Sequence, residues 1–300
     1  MNPDGILILN KPQGCTSHDM VNRVRRLYGT KQVGHTGTLD PMATGVLTVL
    51  VGRSVKASEY AMASEKRYRA VLRLGLETDT EDITGEVLYR SGALPDAEEL
   101  MRVLPQFRGE LMQIPPMVSA IKQNGKKLCD LARQGVEVER EPRRIEIFSL
   151  DARTVDAASG RYELSVSCSK GTYVRTLCAD IGRALGCGGV MEELCRVKNG
   201  GFSIEDAVAP EELDGMTPEE RLRLLRPCEE LFLDCPLLRL PAFYAALAHN
   251  GCEIYLSKLG LSLPPGTKCR MADAQGFFAL GEVMPFPDGS AVKPLKQLRL

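Results

Sequence analysis

The sequence predicts an α+β fold with a small β-rich domain at its C-terminal end. Two segments alternate as half-buried strands do: Tyr68, Ala70, Leu72 and Leu74 oppose Arg67, Arg69 and Arg73, and Tyr162, Leu164, Val166 and Cys168 share one face. Two others repeat at helical spacing: Met20, Val21, Val24, Leu27 and Tyr28, then Val174, Leu177, Ile181 and Leu185. From residue 237 to 300 the chain turns to Gly, Pro and short apolar runs such as GFFALGEVM, which suits a small β domain. At 300 residues the chain is long for one core and short for three.

Taken in order, residues 5–9 form a short apolar strand leading into a loop at Lys11, Pro12 and Gly14. Ser17 is placed to cap the first helix and Gly29 to stop it. The polar loop GHTGTLDP, 34–41, comes next, followed by the aliphatic run 46–51, a buried strand. Residues 75–95 read as loops around a short strand near Val87, and 96–107 as a helix. Residues 114–144 combine a Pro-Pro break, a Gly turn, a short amphipathic helix and basic ends, the mark of an arm that leaves the core to meet a partner. The run Cys168, Cys178, Cys187, Cys195 lies in a segment that reads as a strand followed by helices. Residues 205–235 read as an acidic connector with a helix near 218–225.

The hydrophobic share of 44% and charged share of 26% are those of a soluble globular chain. No apolar run approaches the roughly 18 residues that span a bilayer. The start MNPDGILILNKPQG has neither a basic n-region nor a small-residue cleavage site, so a cytoplasmic protein with no membrane partner is expected. The ten cysteines are dispersed without a Cys-x-x-Cys pair, the pattern of reduced buried thiols. With only His18, His35 and His249, a histidine-based metal centre is not expected. The net charge of −1 conceals segregation: residues 1–75 hold 11 Lys and Arg against 5 Asp and Glu, whereas 76–110 hold 3 against 9 and 201–235 hold 3 against 10. Basic charge gathered near the 34–41 loop suits an anionic partner, although ordinary solvated faces would look the same.

The loop GHTGTLDP can cradle a phosphate, cap a helix or present a carboxylate. No Walker string occurs, and His35 stands where an aspartyl-phosphate motif requires an acid. Pro41 disfavours helical backbone at Asp40, which leaves the aspartate extended or in a turn between a glycine loop and a rigid ring. From there it serves as nucleophile or general base, or as an ordinary Asx-turn cap. Arg175 falls in the first turn of the second helix, where the macrodipole disfavours a cation. Either an anionic group compensates it or it is an exposed arginine with no role. Tyr68, the single aromatic on its strand's apolar face, begins beside the basic cluster, where a core tyrosine would also sit.

GHTGTLDPMATGVL, 34–47, resembles the catalytic motif of the TruB family of tRNA pseudouridine synthases. LNKPQGCTSHDMV (9–21), EKRYRAVLRLG (65–75), TDTEDITG (78–85), IPPMVSAIKQNGKKL (114–128) and CSKGTYVRTL (168–177) are similar to further family motifs, in the family's order and spacing. The resemblance implies a pseudouridine synthase fold at residues 1–235, with a central mixed, mainly antiparallel sheet flanked by helices, and a PUA-like RNA-binding domain at 236–300. It implies isomerisation of uridine to pseudouridine at position 55 in the T-loop of tRNA, by base flipping, with no cofactor, no metal and no obligatory protein partner. Flipping a base costs a few kcal/mol and calls for a stacking surface and a pocket.

By the same resemblance Asp40 is the nucleophile, attacking ribose or base. Arg175 is the partner that orients it, and Tyr68 is the aromatic face of the pocket that helps to remove the C5 proton. Among substrate-binding residues it implies His35 as a wedge in the T-loop, Tyr173 and Leu194 as lining of the base pocket, and Lys11 as support for the active-site loop. Lys126 and Lys127 fall in the thumb at 114–144, which covers the T-loop, and the C-terminal domain touches the acceptor end. RNA would be held chiefly by shape and phosphate contacts, so affinity should fall steeply with salt. The alternatives are the catalytic subunit of a guide-RNA particle, for which the chain has little flanking sequence, and an RNA-binding module that remodels tRNA without chemistry. Simple binding needs no aspartate facing a phosphate-rich ligand, so the Asp40, Tyr68 and Arg175 set favours an enzyme.

Overall fold

The alternating segments pair as their patterns require. A computed structural model, which describes residues 3–61, 65–119, 121–123, 125–136 and 138–299, joins them in one nine-stranded sheet. Its main path runs Gly5–Lys11, Thr44–Val51, Gly189–Asn199, Lys66–Leu74, Arg161–Cys168, Arg143–Asp156 and Gly109–Gln113. Val33–His35 pairs with Thr44–Val51, and Phe202–Ser203 with Gly189–Asn199. Only Thr44–Val51 and Gly189–Asn199 run parallel to each other, so the sheet is mixed and mainly antiparallel, as expected.

Helices Ser17–Tyr28 and Val174–Ala184 bury their predicted stripes against this sheet. Met20, Val24, Leu177 and Ile181 join Leu47, Leu72 and Leu164 in one core, where each fully buried aliphatic side chain contributes about 1.5–3 kcal/mol. Gly29 ends the first helix in the left-handed region, φ 62°. The cap differs from expectation: Thr16, not Ser17, is the N-cap, because Thr16 and Asp19 form a reciprocal capping box. The hydroxyl of Ser17 is engaged elsewhere, at Leu39. The second helix approaches the central strand closely: a Cβ at Gly182 would stand 2.1 Å from the backbone nitrogen of Gly189.

Residues 189–199 are a strand, which corrects the helical reading of the segment around Cys195. A register shift between Met191 and Glu193 interrupts the alternation that would have revealed it. The 205–235 connector also does more than join. It holds helices Pro210–Gly215 and Pro218–Arg223, and its backbone bonds to the edge strand at Ile6 with Arg226 and at Asn10 with Val208. This covers an edge that would otherwise be open to pairing.

The 114–142 segment leaves from Gly109–Gln113 and returns as Arg143–Asp156, with Gln113 opposite Arg143. It is therefore an excursion from one sheet edge, and it carries the helix Leu128–Ala132. Beyond it in sequence, Leu237–Arg239, Lys268–Asp273, Gly276–Phe286, Gly289–Gln297 and Ile254–Tyr255 form a separate five-stranded sheet. Helix Ala242–His249 packs on that sheet with Met271, Phe278 and Val292. Phe232, Leu280, Leu298 and Ala57 form an apolar cluster between the two sheets. Among the described residues no helix is long and apolar enough to cross a membrane.

Candidate active site

Residues 36–43 link Val33–His35 to Thr44–Val51 and are fixed from three sides. From the edge strand, fully buried Lys11 donates to the carbonyls of Ala43 (2.6 Å), Pro12 (2.9 Å) and Pro41 (3.4 Å). From the first helix, Ser17 Oγ accepts the Leu39 N–H at 2.8 Å and donates to the Leu39 carbonyl at 3.2 Å. From the central strand, Arg196, 1% exposed, donates Nε to Val46 O (2.7 Å), Nη2 to Gly37 O (3.0 Å) and Nη1 to Thr38 O (3.3 Å). Asn199 Nδ2 lies 2.9 Å from Thr36 Oγ1 and 3.1 Å from Thr48 Oγ1. Hydrogen bonds to charged groups are worth about 1.5–3 kcal/mol each, so two buried cations hold the loop in one conformation.

Asp40 ends this loop in a turn closed by the Ala43 N–H on its carbonyl at 3.0 Å. Its carboxylate meets Arg175: Nε lies 3.0 Å from Oδ2, and Nη2 lies 3.4 Å from Oδ1. Arg175, 4% exposed, also donates to Thr80 O (3.1 Å) and Val118 O (2.8 Å) and lies 3.6 Å from the Asp82 carboxylate. The helix-terminal cation that broke a local rule is thus buried and answered by two carboxylates, not exposed. One guanidinium ties together the 36–43 loop, the TDTEDITG turn and the base of the 114–142 arm. Asp82 is fixed in turn by Thr80 Oγ1 (3.0 Å) and the Thr84 N–H (3.0 Å).

The Asp40 carboxylate opens into a cleft of about 610 Å³, which Tyr68, Tyr173, Leu194 and Arg196 also line. Six cations border it, Lys66, Arg143, Arg144, Lys170, Arg175 and Arg196, against the acids Asp40 and Glu59, so its field attracts anions. Burial and the neighbouring Arg196 bring the Lys66 ammonium down to about 8. Burial pushes the Tyr68 phenol up, and the Arg196 guanidinium opposes that rise. Tyr173, the N-cap of the second helix, is clamped by Gln113, which accepts its N–H at 2.8 Å and donates to its carbonyl at 3.0 Å. Two tyrosines and a leucine around one presented carboxylate suit a planar ring held against a nucleophile.

The fold brings Asp40, Tyr68, Arg175, Tyr173 and Leu194 together in this cleft. Lys11 lies beneath the loop with no exposure and donates to the carbonyls of Pro41 and Ala43 within it. His35 stands at the end of Val33–His35, outside the cleft lining. Its Nδ1 accepts the Gly37 N–H at 3.2 Å, and burial followed by Arg196 lowers its pKa, which keeps the ring neutral. Lys126 is exposed on the two-residue strand Lys126–Lys127 of the arm, and the side chain of Lys127 lies outside the described residues. Among the described residues no group of three or more His, Cys, Asp or Glu side chains could hold a metal ion.

Sequence reasoning assigned no role to Arg196, Asn199, Lys66 or Asp82. Lys66 was within reach, because it shares strand parity with Tyr68. Asp82 lies inside a quoted motif. Arg196 and Asn199 fall on the strand that read as helix, so their facing could not be inferred.

Residues 25–174 match the family model described as TruB family pseudouridylate synthase (N terminal domain), and 175–233 match that of the tRNA pseudouridylate synthase B C-terminal domain. Two similar proteins are both called tRNA pseudouridine synthase B. That of Clostridium kluyveri is 43% identical over 85% of this chain and 88% of its own length. That of Syntrophotalea carbinolica is 42% identical over 96% of this chain and 90% of its own. Among solved structures, a chain from a Cbf5-Nop10-Gar1 complex superposes with a TM-score of 0.75 at 24% identity, covering 99% of this chain and 85% of that one, a likeness of fold.

Proposed function

The chain belongs to the TruB family of pseudouridylate synthases and converts uridine to pseudouridine in tRNA; we propose that it acts at position 55 of the T-loop, with Asp40 as its nucleophile. The observation that carries this reading is the Asp40 carboxylate, fixed by Arg175 at 3.0 Å and open to a cationic cleft with two tyrosine faces. The reaction breaks the C1′–N1 bond, forms C1′–C5 and moves one proton from C5 to N1. It needs no oxidant or reductant, and the proposal includes no cofactor or metal.

A flipped uracil would stack on Tyr68 with Tyr173 and Leu194 around it, which offsets the few kcal/mol lost on leaving its stack in the loop. Lys66, Lys170, Arg143 and Arg144 are placed to hold neighbouring phosphates. The 114–144 arm, with Lys126 and Lys127, would close over the T-loop. His35 would wedge into that loop, and the five-stranded sheet, as a PUA-like domain within 236–300, would meet the acceptor end. The enzyme would work in the cytoplasm without an obligatory protein partner. Relatives at 42% and 43% identity that are named for tRNA favour tRNA over a guide-RNA particle. The test is incubation with unmodified tRNA transcript and mapping at single-nucleotide resolution. Pseudouridine at position 55 alone is expected, and its absence there, or its appearance only with an added guide RNA, would refute the proposal.

A further inference from the structure

Among the titratable side chains of the cleft, three besides Arg175 are more than nine-tenths buried: Tyr68 at 8% exposure, Lys66 at 7% and Arg196 at 1%. Arg196 is the direct cross-strand partner of Tyr68. Opposite residues on adjacent antiparallel strands project to the same face with their Cβ atoms about 4.5–5.5 Å apart. The guanidinium is anchored on the carbonyls of Val46, Gly37 and Thr38, and its charge opposes the rise that burial imposes on the Tyr68 phenol. A guanidinium has no acceptor atom, so toward it the phenol oxygen can only accept, and the phenol's own O–H is left for the cleft. Lys66 completes the group: a Cβ at Gly37 would stand 3.5 Å from Arg196 Nη1 and 3.6 Å from Lys66 Cε. Both cations therefore lie alongside the loop that carries Asp40.

We propose that Arg196 is the positioning residue for Tyr68 and fixes its phenol as the shuttle that carries the reaction's one net proton from C5 to N1. The proposal rests on the isomerase reading above. As the Asp40 carboxylate bonds to C1′, the C1′–N1 bond breaks, its pair stays on the uracil, and N1 takes the phenol proton. Tyr68 is then a phenolate facing Arg196. When C5 bonds to C1′, the C1′–Asp40 bond breaks with its pair returning to the carboxylate, the C5 hydrogen leaves as a proton to the phenolate oxygen, and the C–H pair restores the unsaturated ring. Tyr68 ends as it began, and nothing is oxidised or reduced. Burial alone disfavours the phenolate, and a fixed cation nearby favours it.

The test compares wild type, Arg196→Met and Arg196→Lys on unmodified tRNA transcript, each beside its Tyr68→Phe counterpart. The difference in phenolate absorbance within each pair isolates the titration of Tyr68 from the other seven of the eight tyrosines. Arg196→Met should move that titration to higher pH and lower kcat by about 100-fold, with KM changed by no more than about threefold; removal of a donor to a developing oxyanion has effects of this order. Arg196→Lys should restore part of both. A Tyr68 titration that stays put in folded Arg196→Met, or a loss confined to KM, overturns the proposal. If neither variant folds, the wild-type chain with 3-fluorotyrosine at position 68 decides. Its more acidic phenol should shift the pH profile of kcat to lower pH, and an unchanged profile overturns the proposal. Wild type that makes no pseudouridine overturns the isomerase reading instead.

Discussion

Arg175→Lys keeps a buried charge but removes the fork. The guanidinium reaches Asp40 at 3.0 Å, Thr80 O at 3.1 Å, Val118 O at 2.8 Å and the Asp82 carboxylate at 3.6 Å. An ammonium directs its three donors from one nitrogen on a flexible stem, so it cannot span points that the planar group reaches from separate nitrogens. At least one charge-assisted hydrogen bond is lost, at a cost of about 1.5–3 kcal/mol. Where the loss falls on Asp40, that energy corresponds to about 10- to 100-fold in kcat. Where it falls on Thr80 and Val118, the same energy appears as lower stability. Single-turnover conversion of tRNA transcript, filter binding and thermal unfolding separate the two. The expected result is kcat lowered by about 10- to 100-fold with tRNA affinity kept within about threefold. Wild-type kcat together with an unshifted Tm would refute the argument that this guanidinium orients the nucleophile and holds the arm.

Lys11→Met removes a buried ammonium from three carbonyls and should lower stability by about 1–3 kcal/mol and kcat more than KM, measured by denaturant unfolding and steady-state kinetics. Burial holds the Lys66 pKa at about 8, below the ordinary lysine value of 10.5. Between these values the unfolded chain binds more protons, so Lys66 makes stability rise with pH by up to about 3 kcal/mol across that window. Chemical denaturation at pH 8 and pH 10 should show the rise, and Lys66→Met should abolish its contribution. Gly182→Ala should lower Tm, although alanine ordinarily favours a helix by about 1 kcal/mol. Its methyl would collide with the backbone of Gly189, and overpacking costs about 1–3 kcal/mol.

What the sequence made legible was whatever a single period or a single local rule encodes. Tyr68 and Leu72 share a face because a strand repeats every two residues, and Val174, Leu177 and Ile181 share one because a helix repeats near 3.6. Arg175 stood out because it broke the dipole rule, and the carboxylates that explain it lie 135 and 93 positions away in the chain. That separation is why Asp82 kept no role: nothing local shows that the TDTEDITG turn folds under the second helix. The strand Gly189–Asn199 reads as helix because a bulge interrupts its alternation, and with it went Arg196 and Asn199, which secure the 36–43 loop. Ser17 looked like a cap by type, but only the pairing of Thr16 with Asp19 frees its hydroxyl for Leu39.

The central claim is that Asp40 is the nucleophile, and Asp40→Asn tests it most directly. The amide keeps the shape of the side chain and stays beside Arg175 but removes the nucleophilic charge. Pseudouridine formation on unmodified tRNA transcript should vanish, while tRNA binding by the same preparation stays close to wild type. Conversion at the wild-type rate by a verified Asp40→Asn protein would contradict the account.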